Sequence, residues 1–199
     1  MDMTSLFKLS YGLFVVTANE EGKDNGCITN TVIQVTDNPV RISVTINKGN
    51  YTCGMIERTG LFNVSILSEE ASFDTFKHWG FQSGANVDKA VGITFSRAEN
   101  GVIYVTEGVN AVLCANVSQI IDLGTHLLFI ADVEDAFVLS DTPSATYAFY
   151  HQHIKPAPQA QKKKGWVCTI CGYIYEGESL PDDFICPLCK HPASDFKPL

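Results

Sequence analysis

Four cysteines close to the end of the sequence have the spacing of a metal site. Cys168 and Cys171 form one C-x2-C pair, Cys186 and Cys189 form a second, and fourteen residues separate the pairs. Two such turns facing each other present four thiolates to one ion, and four sulfur ligands suit zinc or iron. Residues 165–199 are also fewer than the ~40 below which a domain usually needs a metal or disulfides to fold. We therefore predict a metal centre with these four cysteines as ligands.

The other cysteines and the N-terminus bear on the compartment. The chain has seven cysteines, an odd number that argues against a secreted disulfide framework. Cys27, Cys53 and Cys114 form no C-x-x-C pair, and we interpret them as small buried apolar residues. The apolar stretch 13–16 is too short for a signal-peptide core, and Asp2 stands where positive charge is typical. We expect a cytoplasmic protein.

Composition and charge restrict the partners. The chain has 199 residues, of which 45% are hydrophobic and 18% charged, a composition typical of globular proteins. The formal net charge of -8 does not provide the basic surface that a nucleic-acid binder needs. No apolar run approaches the ~18 residues of a membrane span. We expect neither nucleic acid nor a membrane as a partner.

A short basic segment divides the chain into three parts. Residues 156–164 contain two prolines and three lysines without hydrophobic periodicity, which indicates a linker. In an extended, proline-rich form its nine residues span about 28 Å at ~3.1 Å each. Residues 1–155 carry a net charge of -8 and residues 165–199 a net charge of -3. We predict two acidic domains, 1–155 and 165–199, on either side of the linker 156–164.

The first domain has mostly strand patterns. Residues 40–46 and 62–66 alternate strictly between apolar and other side chains, and Glu99-Asn100-Gly101 is typical of a hairpin turn. We predict short helices from Tyr51 to Arg58, ending near Gly60, and from Glu69 to Trp79 with Ser68 as N-cap. Further strand-like runs cover 12–18, 27–36, 102–106, 111–121 and 126–139. Many strands with few helices predict a mainly β fold, a closed barrel with helical additions.

The C-terminal segment resembles a known electron carrier. Residues 166–177 and 180–189, which contain the two cysteine pairs, closely resemble rubredoxin, although fewer residues separate the pairs than is usual there. The resemblance implies one iron in four cysteines that carries single electrons, with zinc as a substitute that spacing alone does not exclude. A one-electron centre needs a source of electrons, and a flavin is the common converter between hydride donors such as NADH or NADPH and single electrons.

Two polar segments of the first domain could bind such a cofactor. The sequence contains no G-x-G-x-x-G and no Walker loop. Residues 46–52 lie between an alternating strand and a helix, where backbone N–H groups favour a phosphate; Lys48 adds charge, and hydrogen-bonding side chains are supplied by Asn47, Asn50 and Thr52. A polar turn with a helix cap explains them as well. Thr29, Asn30 and Thr31 need partners if buried, which a flavin ring or water at a barrel edge could supply.

The first domain, over about residues 1–151, resembles the FMN-binding split-barrel family of flavin reductases. The resemblance rests on residues 9–18, 25–31, 46–52 and 83–89. It implies a homodimer with FMN near the subunit interface, and a loop with Ser83, Asp88 and Lys89 near the cofactor. It places these residues along the flavin or around its phosphate: Thr29, Asn30, Thr31, Asn47, Lys48, Asn50, Tyr51 and Thr52.

The same resemblance suggests a catalytic residue and a function. His126, after Gly124 and Thr125, matches a histidine near the flavin and nicotinamide, or it only lies at a barrel rim; His151 and His153 either lie near the flavin or end the domain. The order of domains resembles that of high-molecular-weight rubredoxins, which implies electron transfer from NAD(P)H through FMN and iron to a flavodiiron protein that reduces oxygen or nitric oxide. The alternatives are a flavin reductase that releases reduced flavin or reduces ferric chelates, and a non-enzymatic flavin protein with a structural zinc ribbon.

Overall fold

The chain forms two compact units. The computed structural model describes residues 2–156 and 165–199. One unit comprises residues 1–155 and the other residues 156–199. Residues 157–164, which make up most of the predicted linker, lie outside the described residues, so the linker stays a prediction. None of the helices in the described ranges has the length and apolar character needed to cross a membrane.

The first unit is built mainly of strands. A 3-10 turn over Met3–Lys8 precedes them, and a helical turn α3 (Tyr147–Phe149) that continues as a π-helix (Tyr150–Ile154) follows them. The strands and remaining helices are β1 (Phe14–Glu20), β2 (Lys23–Thr29), β3 (Ile33–Asp37), β4 (Val40–Asn47), α1 (Tyr51–Thr59), β5 (Leu61–Leu67), α2 (Phe73–Gly80), β6 (Phe95–Arg97), β7 (Ile103–Val105), β8 (Val109–Asp122) and β9 (His126–Val138).

Seven of these strands form one antiparallel sheet. The strand order is β2-β1-β5-β8-β9-β4-β3, and β6 and β7 pair separately as a hairpin. The hydroxyls of Thr29 and Thr31 donate to the Thr45 carbonyl over 3.3 and 2.7 Å, which ties the end of β2 to β4. The strand at one end of the order is thereby connected to the strand next to the other end. The prediction of a mainly β barrel with short helices is confirmed.

Both faces of the sheet are covered. One apolar cluster combines β1, β4 and β5 with the buried side of α1, including Met55 and Ile56. The second lies on the opposite face and includes Phe76 and Trp79 of α2. The polar side chains of β5 are buried as well: Asn63 Nδ2 donates to the Val102 carbonyl (2.8 Å), at the start of the β6–β7 hairpin's second strand. The alternating side chains of β5 therefore point to two faces of the sheet that are both covered, rather than to one buried face and one solvent-exposed face.

Two sequence-based boundaries were wrong. The run 27–36 is not one strand but the end of β2 and most of β3, which lie at opposite ends of the strand order. The second helix begins at Phe73 rather than Glu69, because Ser72, whose Oγ accepts from the Thr75 N–H, is its N-cap. Ser68 instead forms a bridge with a distant strand-like segment. The first helix is confirmed, since α1 begins at Tyr51 and has Gly60 as its C-cap, with a φ of 73°.

The second unit is a small sheet beneath the cysteines. Strand β10 (Trp166–Cys168) lies between β11 (Ile174–Tyr175) and β12 (Phe196–Pro198). A 3-10 turn over Ala193–Asp195 leads into β12. The buried residues of this unit are Cys168, Cys186 and Phe196, with partly buried aromatic rings packed around them. Two of its three most buried residues are therefore predicted metal ligands.

Candidate functional site

The structure brings the four predicted ligands together. The sulfur atoms of Cys168, Cys171, Cys186 and Cys189 all lie within 4.8 Å of one another. The Sγ–Sγ distance is 3.5 Å between Cys168 and Cys189 and 3.6 Å between Cys171 and Cys186. An ion with four sulfur ligands at about 2.3 Å in a tetrahedron separates those sulfurs by about 3.8 Å. The cluster therefore fits a four-thiolate metal centre.

The two cysteine pairs sit in turns with the same hydrogen bonds. The Gly172 N–H donates to the Cys168 carbonyl, and the Lys190 N–H donates to the Cys186 carbonyl, each over 2.9 Å. The N–H of the first cysteine in each pair donates over 2.8 Å to the residue five positions on, Tyr173 or His191. Each turn directs its two sulfur atoms to the same side, and the two turns face each other.

The four cysteines of the cluster differ in burial. Cys168 and Cys186 are buried, whereas Cys171 and Cys189 are partly exposed. Burial raises the pKa of the Cys171 thiol to about 12. A bound cation favours the thiolate and would counteract this shift. Aromatic rings pack against the buried cysteines, among them Phe184 and Tyr175, whose ring centroids lie 4.7 Å apart.

The predicted flavin-binding segments meet at one end of the barrel. Thr31 bonds to Thr45 of β4, and two residues further along β4 Asn47 pairs directly with His126 of β9. The Lys48 N–H donates over 3.0 Å to the carbonyl of the residue before His126. Helix α1 then begins three residues after Lys48. Segments 29–31, 47–52 and the start of β9 are therefore neighbours, as a common binding site requires.

The start of α1 suits an anionic group. Its N-cap, Asn50, has an extended backbone and its side chain makes no capping hydrogen bond. First-turn N–H groups of a helix point along its axis and favour a phosphate. In the turn that leads to this helix, Asn47 Oδ1 accepts from the Gly49 N–H over 2.7 Å. The ammonium of Lys23 lies 4.3 Å from the ring centroid of Tyr51, which adds positive charge at the same helix end.

Lys48 has an acidic partner that the sequence analysis missed. Its ammonium donates to both carboxylate oxygens of Asp122 over 2.6 and 2.7 Å. This hydrogen bond lowers the pKa of Asp122, which stays ionised. Asp122 also accepts from the Gly124 N–H in the turn between β8 and β9. The positive charge of Lys48 is therefore shared between a possible ligand and a carboxylate.

Three predicted site hydroxyls have partners within the protein. Thr29 Oγ1 and Thr31 Oγ1 lie 2.8 Å apart, and both bond to the backbone of Thr45. Thr52 is fully buried, and its Oγ1 accepts from Asn25 Nδ2 over 2.8 Å. The Thr52 side chain thus faces the protein interior, so only its backbone N–H is placed to bind an anion. Neither Thr45 nor Asn25 was predicted as a partner.

The loop 83–89 is anchored by a buried lysine. Lys89 is 3% exposed, and its ammonium donates to the carbonyls of Gly26 and Trp79 over 2.8 and 2.9 Å. Burial lowers the pKa of this lysine. The ammonium of Lys23 donates to the Gly84 carbonyl over 2.9 Å. The same ammonium lies over the ring of Tyr51, the first residue of α1. The loop therefore lies beside the start of α1, while the Lys89 side chain holds it to the barrel.

The predicted catalytic histidine is half-buried at the start of β9. His126 Nδ1 lies 2.8 Å from Thr125 Oγ1. When this hydroxyl donates, the neutral imidazole carries its proton on Nε2. At the end of the domain, Tyr150 is buried with its ring centroid 4.4 Å from that of Phe76, and His151 and His153 are exposed. Tyr150 thus helps to close the second apolar cluster.

The cysteines outside the cluster are buried, as predicted. Cys27, Cys53 and Cys114 are all buried. Burial raises the pKa of the Cys53 and Cys114 thiols to about 11 each. Thiols that stay protonated and buried are poor nucleophiles and poor metal ligands.

Comparisons with known proteins match two parts of the chain to two families. Residues 6–158 match the family described as flavin reductase like domain, and residues 166–197 match the rubrerythrin, rubredoxin-like domain. The high molecular weight rubredoxin of Moorella thermoacetica is 36% identical over 95% of this chain and 96% of its own. The ferric-chelate reductase (NAD(P)H) of Archaeoglobus fulgidus is 39% identical over 76% of this chain and 89% of its own.

A solved structure shares the barrel fold. The NADH:FAD oxidoreductase of Streptomyces globisporus C-1027 superposes with a TM-score of 0.64 over 73% of this chain and 88% of its own. The two chains are 18% identical, so the likeness concerns the fold alone.

Proposed function

Since the chain belongs to the flavin reductase-like family and carries a rubredoxin-like domain, we propose that it passes electrons from NAD(P)H through FMN to iron and on to a protein acceptor. The two domains indicate FMN and an iron site as cofactors, and NAD(P)H-dependent flavin chemistry as the general activity. Bound FMN supplies the conversion of hydride to single electrons. Passage onward through iron is supported by one observation above all, a four-cysteine cluster in the same chain as the flavin domain.

We propose a separate role for each of the residues at the end of the barrel where segments 29–31, 47–52 and the start of β9 meet. The first-turn N–H groups of α1, including that of Thr52, bind the FMN phosphate together with the side chains of Lys48 and Asn50. Asn47 and Tyr51 shape this pocket, and residues 29–31 lie along the flavin ring. His126, opposite Asn47, donates from Nε2 and so positions the nicotinamide or stabilises negative charge on the reduced ring. Cys168, Cys171, Cys186 and Cys189 bind the iron.

The acceptor, the assembly and the compartment are part of the same proposal. The acceptor is a flavodiiron-type protein that reduces oxygen or nitric oxide. The assembly is a homodimer, because all five residues of β3 are exposed and Ile33 on this strand is 62% exposed. An edge strand with exposed apolar side chains is a typical site of pairing between chains. The compartment is the cytoplasm, where the cysteines remain reduced.

A second candidate function uses the barrel alone. The relative named ferric-chelate reductase matches 76% of this chain, about the extent of the flavin domain. In that case the protein reduces ferric chelates or releases reduced flavin, and the iron site is dispensable. A third candidate is a flavin-binding protein whose cysteines hold a structural zinc.

Anaerobic titration of the purified full-length protein with NADH separates the three candidates. We expect absorbance bands of both flavin and iron–thiolate, and both should bleach after about one and a half equivalents of NADH, since FMN takes two electrons and iron one. If the flavin bleaches and the iron does not, the second candidate is favoured. A colourless cysteine site with flavin bands alone favours zinc. NADPH in a parallel titration identifies the donor.

The phosphate site is tested by FMN binding. Lys48→Ala removes a charge-assisted hydrogen bond, which is expected to weaken FMN binding by about 1–3 kcal/mol, measured by titrating apoprotein. Asp122→Asn should strengthen binding, because it releases the ammonium of Lys48 from its carboxylate partner. Riboflavin lacks the phosphate, so its affinity should not change in either variant.

A matched control for this test lies on α2. Lys77 is ion-paired with Asp74, as Lys48 is with Asp122. Lys77→Ala therefore makes the same change in charge and also breaks one ion pair, and it should leave FMN binding unchanged. Equal loss of FMN and riboflavin affinity in Lys48→Ala would remove Lys48 from the phosphate site.

A further inference from the structure

One of the two cysteine turns has an unexpected residue at its tightest position. The residue after the second cysteine of each pair has a left-handed backbone, with φ of 78° at Gly172 and 62° at Lys190. This conformation suits glycine and strains other residues. Among the described residues with positive φ, seven are glycines and only Glu21 and Lys190 are not. The second turn thus keeps a lysine at a cost in backbone strain that glycine would avoid.

The position gives this lysine an electrostatic role. Residues 165–199 contain five acidic residues and two basic ones, Lys190 and Lys197. Lys190 is exposed and directly follows Cys189, a partly exposed member of the sulfur cluster. Lys197 lies on β12, where it pairs with Val167 of β10. One of the two positive charges of an acidic domain is therefore next to a metal ligand.

We propose that Lys190 raises the reduction potential of the iron site. Four thiolates with a ferric ion carry one net negative charge, and uptake of one electron to the ferrous state raises this to two. A nearby positive charge stabilises the more negative state more strongly. For exposed unit charges several ångströms apart, this preference amounts to about a threefold change in the equilibrium constant. The proposal rests on iron binding by the four cysteines and is independent of the acceptor.

The test measures the iron potential of the full-length protein with both cofactors bound, by equilibration with one-electron dyes of known potential. In Lys190→Gln the equilibrium constant for reduction should fall about threefold, which is about 28 mV at 59 mV per factor of ten. Lys190→Arg keeps the charge and should leave the potential unchanged. Lys197→Gln, which changes the net charge equally, should shift it less. The Lys190→Gln shift should shrink at high salt, because the charge is exposed.

A second readout separates charge from backbone strain. Lys190→Gly should lower the potential as Lys190→Gln does, and it should also raise the unfolding temperature of the cysteine domain, because glycine adopts the left-handed conformation freely. Equal potentials for Lys190→Gln and Lys190→Arg would overturn the proposal, and so would an equal shift in Lys197→Gln. A site without an iron signal would overturn both this proposal and electron transfer through the domain, whereas an unchanged potential with iron bound overturns this proposal alone.

Discussion

Replacement of Cys186 by serine is expected to remove the metal and unfold residues 165–199 while the barrel stays folded. The core of this unit contains three buried residues, and Cys168 and Cys186 are two of them. A domain of this size gains too little from apolar burial to fold alone. Metal bonds to cysteine supply the difference, since four-ligand structural sites in small peptides bind with about 10–16 kcal/mol. Loss of one thiolate therefore removes the main source of stability.

The measurement is iron per chain together with limited proteolysis of the purified variant. We expect little iron and rapid cleavage after residue 165, with FMN content unchanged because the barrel has its own two apolar clusters. Cys114→Ser is the matched control: this cysteine is buried in the barrel, so iron content should not change. Full metal occupancy in Cys186→Ser, or loss of FMN together with the iron, would contradict the assignment.

The metal centre could be predicted from the sequence because its geometry is local. Two residues between the cysteines of a pair determine how the turn presents their sulfurs, and the turn is closed by hydrogen bonds such as that from the Gly172 N–H to Cys168. The same bond in the second turn comes from Lys190. Only the facing of the two turns depends on residues that are distant in the chain. The left-handed backbone of Lys190 has no sequence signal, since lysine is not typical of that conformation.

The strands and the barrel class were also predictable, whereas the contacts that join the barrel's distant segments were not. Apolar alternation and the hairpin turn at Gly101 depend on neighbouring residues, and the structure has a strand pair on either side of that turn. The bonds from Thr29 and Thr31 to Thr45 join segments that are distant in the chain. Sequence reasoning recognised that these hydroxyls needed partners but assigned them to a flavin or to water. The pairing register of the sheet determines that these hydroxyls meet the Thr45 carbonyl, and no single segment of the sequence encodes that register.

The candidate flavin site shows the same limit. The segment 47–52 has a local signal, because a polar turn before a helix start suits a phosphate. The Asp122 carboxylate reaches Lys48 from the far end of a hairpin, and Asn25 reaches Thr52 from β2. These partners change what each predicted residue can do: Lys48 shares its charge, and Thr52 keeps only its N–H for a ligand. The residue types of this site could be predicted from the sequence, but their hydrogen-bond partners could be identified only from the fold.

Truncation after Lys155 is expected to separate flavin reduction from electron delivery. The shortened protein retains the whole unit 1–155, with its sheet, both apolar clusters and the start of α1. NADH oxidation with free flavin or an artificial acceptor should therefore remain within about twofold of the full chain. Reduction of a flavodiiron protein, measured as NADH-dependent oxygen or nitric oxide consumption, should be abolished, because the iron site is missing. Cys186→Ser in the full chain should give the same result without the change in length.

Covalent linkage explains why the two domains belong in one chain. Their formal net charges are -8 and -3, so long-range electrostatics opposes their association when they are separate. The predicted linker 156–164 is expected to keep the effective concentration of one domain near the other at roughly millimolar without a strong interface. Metal-loaded residues 165–199 added to the truncated protein should therefore restore delivery only towards millimolar concentration, and restoration should improve with added salt, which screens the repulsion. Undiminished delivery by the truncated protein would show that electrons leave from the flavin, and the cysteine domain would then have a structural role.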